Sequence, residues 1–352
     1  MLLVLALMAA IWFGGARMGA SREARGLFLA LLYLAVLGIQ VVFPADNPLR
    51  IATGGSAALW LILGAFVLLF WAYRALLRAL RARAGGGVQD VPPARTGAFT
   101  DTELNRYARH IVLREIGGAG QKALKEAKVL VIGAGGLGAP ALQYLAAAGV
   151  GTIGVIDDDT VENANLQRQV IHTDDAIGMP KVFSAQRAME AQNPFVTVRP
   201  YHRRLTEEIA AELLADYDLV LDGTDNFTTR YLVNAACVAA GTPLVSGALS
   251  QWEGQLSVFD PANGAPCYRC VFAQAPAPHL APSCAEAGVI GPLPGVIGSM
   301  MAVEAIKLIT GAGAPARGQM LIYDALYGES RTIGLQRRAD CETCGKTPAA
   351  SD

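Results

Sequence analysis

The chain has 352 residues, room for one large α/β domain and an addition to it. Its mean hydropathy of +0.34 is high for a soluble enzyme, and the excess lies at one end. Residues 1–83 hold eight Arg, no Lys, one Asp and one Glu, a net of +6, whereas the remainder carries 21 basic and 28 acidic residues, a net of −7. A basic, apolar head on a mildly acidic body suggests a membrane anchor joined to a soluble domain. The acidic body argues against nucleic acid as a partner, because phosphate contacts need a basic face.

Three apolar stretches open the sequence, at residues 1–16, 27–43 and 57–73. Each sits at the short end of the roughly 17–25 residues that cross a bilayer. The second and third contain no charge. The first resembles the core of a signal peptide but lacks a basic leader and a clean cleavage site. Arg17, Arg22 and Arg25 lie between stretches one and two; Arg74, Arg78, Arg81 and Arg83 follow stretch three. The intervening loop has only Asp46 and Arg50. The excess of Arg then puts the first loop and everything after residue 83 on the cytoplasmic side of the inner membrane. Trp60, Trp71 and Tyr73 fall near the ends of the third stretch, where amphipathic rings favour the interface. The reading is two or three transmembrane helices in residues 1–83. A Gly- and Pro-rich linker follows at 84–98, and an enzyme body at 99–346.

Thr100 and Glu103 have capping-box spacing, so a helix starts there. The body then alternates strand and helix. Strands are expected at 128–133, 152–158, 197–201, 218–222 and 243–246; helices at 138–148, 180–192, 206–217 and 227–240. That alternation implies a doubly wound, Rossmann-like, mostly parallel sheet. A strand at 255–259, a Pro-rich segment at 271–294, a helix at 295–310 and a hairpin at 320–335 give it an antiparallel extension.

Residues 129–138 read as a strand, a Gly-rich turn through Gly133, Gly135 and Gly136, and a helix start. Glycines let the backbone approach a phosphate, and the helix N-terminus offers free N–H groups. Asp157 closes the next strand where a ribose-binding carboxylate is expected. These two features alone fit a NAD-dependent dehydrogenase equally well. No G-x-x-x-x-G-K-[ST] is present, which excludes the ordinary P-loop.

Six cysteines are present, four of them in two C-x-x-C pairs, Cys267/Cys270 and Cys341/Cys344. Four thiolates in a long, cofactor-type chain point to a closed, tetrahedral structural Zn2+ that ties down the C-terminal end. Cys237 lies on an apolar helical run and reads as core. His110, His172, His202 and His279 show no metal spacing and read as structural or solvated.

The string Asp157-Asp158-Asp159-Thr160-Val161, continuing to Asn165-Leu166-Gln167-Arg168-Gln169, is followed by Gly178-Met179-Pro180-Lys181 and Thr224-Asp225-Asn226. With Arg106-Tyr107-Ala108-Arg109-His110, the two cysteine pairs and Cys284, this order of motifs resembles the ubiquitin-activating superfamily. The MoeB/ThiF/HesA branch is nearest, and within it MoeB-like members, because the body ends just after Cys344. The resemblance implies ATP-dependent adenylation of the C-terminal glycine carboxylate of a small ubiquitin-like sulfur-carrier protein, with Mg2+. The pathway would be molybdopterin or thiamine-type sulfur transfer. It assigns Gly133, Gly135 and Gly136 to the nucleotide loop and Asp157 to the ribose. Asn165, Arg168 and Lys181 fall to the phosphates, Asp225 to Mg2+ and Asn226 to the pocket wall. Arg109 would reach into the neighbouring subunit's site, implying a homodimer, and Cys284 aligns with a cysteine that some relatives bond to the carrier. No sulfurtransferase segment follows Cys344, so a separate sulfur donor is expected. A tRNA-modifying relative and a non-enzymatic membrane adaptor that keeps the fold remain alternatives.

Overall fold

The computed structural model describes residues 2–19, 21–84, 98–276 and 287–345. The expected linker at 84–98 falls almost wholly outside these, as do Cys284 and His279. The chain divides into two compact units, residues 1–94 and 95–352.

The first unit is helical: α1 (Leu2–Arg17), α2 (Arg22–Val42), the short α3 (Pro48–Ala52) and α4 (Ala57–Ala84). Ser21 caps α2 by accepting the Ala24 N–H, and Asn47 caps α3 through Leu49 N–H. Val4, Val36 and Trp60 form its small interior, and most of its remaining large apolar side chains face outward. Windows at Ala24–Val42 and Ala57–Leu76 are long and apolar enough to span a bilayer, and only 11% and 6% of them is buried. α1 is 16 residues long, a rise of about 24 Å against roughly 30 Å of hydrocarbon.

The second unit opens with α5 (Asp101–Ile111), whose capping box at Thr100 and Glu103 is fully formed, and α6 (Gly117–Glu126). An eight-stranded sheet follows. Its strands are β1 (Lys128–Ile132), β2 (Thr152–Ile156), β3 (Thr197–Tyr201), β4 (Leu219–Asp222), β5 (Leu244–Leu249), β6 (Glu253–Phe259), β7 (Gln319–Asp324) and β8 (Glu329–Gly334). The order is 3-2-1-4-5-6-7-8. Pairing is parallel from β3 to β5 and antiparallel from β5 to β8. The order reverses between β1 and β4, the switch point at which open α/β sheets bind ligands.

Alternation along β1 builds the two layers. Val129 and Val131 face α7 (Gly138–Ala148), α8 (Lys181–Gln192) and the late helix Pro292–Thr310, while Leu130 and Ile132 face α9 (Glu207–Leu214) and α10 (Phe227–Ala240). The one remaining described α-helix, Tyr268–Val271 (α11), carries two of the cysteines or adjoins them; Pro292–Thr310 is α12. α12 is also apolar enough to pass for a span, but 44% of it is buried against the sheet and α7. Tertiary burial makes it a core helix.

Several boundaries differ from the sequence reading, and one helix is additional to it. β5 runs on to Leu249 because every residue from Leu244 pairs with β6. α12 begins at Pro292, the ring being tolerated in the first turn. α6 was not foreseen, as its Gly-Gly-Ala-Gly start has no side-chain cap.

Asn193, fully buried at the end of α8, donates from Nδ2 to Ala146 O at 2.6 Å and to Tyr107 Oη at 2.9 Å, joining α5, α7 and α8. Replacing it strands two buried acceptors. Asn193→Ala is expected to destabilise the unit by about 1–3 kcal/mol, read as a lower midpoint in thermal unfolding of the detergent-solubilised chain.

Candidate functional site

The site starts where β1 ends. Gly133 turns the chain with φ +92°, a value strained for any side chain. Gly138, at the start of α7, lies so close under the Gly133 carbonyl that a Cβ would collide with it. The loop between them is held by its neighbour strand. Asp157, just past β2, accepts the Ala134 N–H at 2.8 Å through Oδ2 and the Asp159 N–H at 2.8 Å through Oδ1. Burial raises the Asp157 pKa, with Lys181 and the two backbone donors pulling the other way.

Lys181, 4% exposed at the first turn of α8, reaches Asp159 Oδ2 at 2.7 Å. Arg168 follows a single 3-10 turn at Asn163–Asn165; it donates to Asn165 Oδ1 at 3.1 Å and to Ala164 O at 3.3 Å. No carboxylate lies within 4.0 Å of its guanidinium among the described residues. At the end of β4, Asp222 accepts the Thr224 N–H at 2.9 Å and its hydroxyl at 2.7 Å, shaping the turn that presents Asp225. Asp225 is exposed and has no hydrogen bond or ion pair among the described residues. Asn226 is the N-cap of α10, its Oδ1 taking the Thr229 N–H at 2.9 Å.

These pieces line one open cleft of about 1110 Å3 over the carboxyl ends of β1, β2 and β4. Gly133, Gly135, Gly136, Asp157, Asn165, Arg168, Lys181, Asp225 and Asn226 all border it. It continues past the parallel strands along Ser246, Leu249, Gln255 and Ser257 of β5 and β6. Arg109 does not border it, and stands exposed on α5. Cys284 lies outside the described residues.

The sequence reading passed over three residues. Arg230 of α10 is 5% exposed at the cleft wall and donates to Thr224 O, to Gly247 O at 2.7 Å and to Ser246 Oγ at 3.1 Å. It joins the Asp225 turn to β5. Gln169 is buried beside Gly135 with its Oε1 unpartnered. His172, read only as structural or solvated, is buried between Ala134 O and Ser184 Oγ. Proximity to Arg168 in the motif was the available signal for the last two. Arg230 falls one helical turn after Asn226, on the buried face.

A second cluster stands away from the cleft. Cys267, Cys270, Cys341 and Cys344 are all buried, and their sulfurs lie within 4.8 Å of one another. The sulfurs are 3.4 Å apart for Cys270–Cys344, 3.6 Å for Cys267–Cys341 and 3.9 Å for Cys267–Cys270. Sulfurs at about 2.3 Å from a tetrahedral ion sit about 3.8 Å apart, so the set fits a metal such as zinc. Cys237 is core, as expected; burial first, and Asp222 second, push its thiol pKa far up.

Residues 107–343 match the ThiF family. Over 254 residues the chain is 51% identical to a sulfur carrier protein adenylyltransferase of Thermus thermophilus, covering 71% of this chain and 94% of that one. It is 48% identical over 248 residues to the molybdopterin-synthase adenylyltransferase of Escherichia coli, covering 70% and 99%. It is 47% identical over 245 residues to the SAMP-activating enzyme E1 of Haloferax volcanii, covering 70% and 90%. The crystal structure of E. coli MccB with MccA-N7isoASN shares the fold, with TM-score 0.61 at 22% identity over 71% of this chain and 77% of that chain. The family match spans the glycine loop, the cleft-lining residues, the first cysteine pair and Cys341, and the chain belongs to the ThiF family.

Proposed function

We propose that the second unit adenylates the C-terminal glycine carboxylate of a small ubiquitin-like sulfur-carrier protein, using ATP and releasing pyrophosphate. The observation behind it is one cleft that gathers a glycine loop, the cations Arg168 and Lys181, and the unpaired carboxylate of Asp225. A glycine loop with Asp157 alone would serve a nicotinamide dinucleotide equally well. The two cations and the free acid favour a triphosphate. Relatives named as sulfur-carrier and molybdopterin-synthase adenylyltransferases support the same reading, with the carrier serving molybdopterin or thiamine-type sulfur transfer.

In the proposed reaction a carboxylate oxygen attacks the α-phosphorus. A carboxyl–phosphate bond forms, the α–β bridging bond breaks, and its electron pair leaves on pyrophosphate. Two anions must meet, so the chain's task is electrostatic. Asp157 orients the ribose. Lys181 exchanges its bond to Asp159 for a phosphate oxygen, and Arg168 joins it from the Asn165 turn. Asp225 would hold Mg2+, which supplies positive charge shared among phosphate oxygens. The tail of the carrier would lie in the cleft's extension along β5 and β6. Arg109, exposed and away from its own cleft, would serve the site of a second copy in a homodimer. Sulfur would come from a separate donor protein. Cys284 enters no step here.

Asp225→Ala should lower carrier-dependent ATP–pyrophosphate exchange by at least about 10²-fold. The melting midpoint should hardly move, since the side chain has no partner to lose. Retained exchange would remove Asp225 from the mechanism, whereas a wild-type chain that shows no exchange with any carrier would leave the adenylation reading without support.

The cysteine cluster would hold one structural Zn2+ per chain, bridging α11 to the C-terminal segment. Elemental analysis should return one zinc per chain. Cys344→Ser should lose the metal and lower the thermal midpoint by roughly 5–10 °C, as loss of about 2–3 kcal/mol implies. A wild-type chain free of zinc would refute this.

Residues 1–83 would anchor the enzyme in the inner membrane, with the linker 84–98 leading to a cytoplasmic catalytic body over 99–346. The full chain should then stay with membranes through alkaline carbonate extraction, and protease should reach the body only from the cytoplasmic side. Release by carbonate would exclude a spanning anchor.

A further inference from the structure

His172 stands four residues beyond Arg168 and is 5% exposed. Its Nε2 lies 2.9 Å from the Ala134 carbonyl oxygen, and its Nδ1 lies 2.9 Å from Ser184 Oγ. A carbonyl oxygen only accepts, so Nε2 must carry the proton and donate. In the neutral ring Nδ1 is then an acceptor, and the Ser184 hydroxyl donates to it. Burial first, and the nearby charge of Lys181, hold the ring's pKa below its ordinary value, which keeps this neutral tautomer at pH 7.

The contact falls on the middle of the glycine loop. The Ala134 N–H is already taken by Asp157 Oδ2 at 2.8 Å. With the Ala134 carbonyl held by His172, the residue is fixed on both sides. The peptide from Ala134 to Gly135 is planar and trans, so its C=O and N–H point in opposite directions. Anchoring the carbonyl on His172 therefore aims the Gly135 N–H away from the ring. Gly135 borders the cleft, and its N–H has no acceptor among the described residues. Ser184 sits one turn into α8, the helix that begins with Lys181. One buried ring thus links the glycine loop, the Arg168 turn and the Lys181 helix.

We infer that His172 is the positioning residue of the nucleotide loop: as the Nε2–H tautomer, braced by Ser184, it holds the Ala134 carbonyl so that the Gly135 N–H meets a phosphate oxygen of the bound nucleotide. The inference rests on the nucleotide reading of the cleft and names a part of it that touches no substrate itself.

Three variants separate this role from simple structural support. His172→Gln can still offer an amide N–H at the reach of Nε2 but cannot serve Ser184. His172→Asn keeps a polar atom near the Nδ1 position and cannot reach Ala134. Ser184→Ala leaves the ring but removes its brace. Isothermal titration of ATP with Mg2+ into the detergent-purified full chain gives Kd. Exchange kinetics with an active carrier give KM for ATP and kcat, and melting midpoints are recorded alongside. His172→Asn is expected to raise Kd and KM for ATP about tenfold with kcat within about threefold, the loss of one oriented donor. His172→Gln should stay within about threefold of wild type, and Ser184→Ala should raise Kd roughly two- to fivefold. Equal loss in the Gln and Asn variants, or wild-type Kd in Ser184→Ala and His172→Asn, would overturn the assignment while leaving the nucleotide site intact. If His172→Asn does not fold, a Ser184→Ala Kd equal to wild type overturns it alone. A wild-type chain that binds no ATP would bring down the nucleotide reading together with this one.

Discussion

Two neighbouring parallel strands end level with one another, and a hydrogen bond crosses between their ends: Ala134 N–H, past β1, to Asp157 Oδ2, past β2. Much of the cleft depends on that contact. It draws the glycine loop toward the acid and leaves Gly133 in a left-handed turn. The other oxygen of Asp157 receives the Asp159 N–H, which folds the following segment back so that Thr160 bridges Pro180 and Lys181 enters α8 beside the loop. Half-buried Asp157 is held by two N–H donors, each worth more to a carboxylate than to a neutral acceptor. Its raised pKa records that desolvation still outweighs them.

Charge around the cleft is distributed unevenly. Lys181 is buried but its carboxylate partner Asp159 is 64% accessible, so the pair can be parted only as another anion, such as a phosphate, takes the carboxylate's place. Arg168 has only amide and carbonyl acceptors among the described residues. Arg230, though buried, likewise has no carboxylate partner among the described residues; it donates to oxygens of Thr224, Ser246 and Gly247 and has Tyr268 beside it. Buried Arg without a paired carboxylate is uncommon. Here the cation ties the Asp225 turn and β5 to α10, and the cleft then holds an unpaired acid together with two cations. A triphosphate with a divalent ion suits that arrangement better than a neutral ribose or nicotinamide would.

The parallel half of the sheet was legible because its strands are short apolar runs bounded by glycine or acid, each followed by a helix with its own stop signal, such as Gly149 and Gly241 in left-handed geometry. The cleft residues were legible because their spacing is tied to strand ends. What was not legible depended on contacts between distant segments. Arg230 carries no local mark; only the folded chain brings Thr224 and Gly247 to it. His172 had no metal spacing, and its two partners are 38 and 12 residues away. α12 matches a membrane span in length and hydropathy, and only the sheet and α7 packed against it tell it apart from Ala57–Leu76. Cys284 and the Pro-rich stretch around it stay at the level of sequence.

Set in a bilayer, as proposed, the helical unit would face a stricter polar constraint than the enzyme unit does. In a bilayer no water is at hand to satisfy backbone groups, and each one left unpaired costs several kcal/mol. The turn between α2 and α4 meets that demand with its own side chains. Gln40 donates to Arg50 O at 2.8 Å and to Thr53 Oγ1 at 2.7 Å, and Trp60 Nε1 donates to Thr53 O at 3.0 Å. Tyr33, two turns earlier on α2, closes on Trp60 O at 2.7 Å. Gln40 is 1% exposed and Trp60 2%, in a unit whose outward side chains are mainly Leu, Phe and Val. Gln40 and the Trp60 N–H thus converge on Thr53, while Gln40 Oε1 is buried without a partner among the described residues and the large apolar side chains stay exposed. The outward leucines and phenylalanines are an observation separate from the arginine count, and both agree with the proposed anchor.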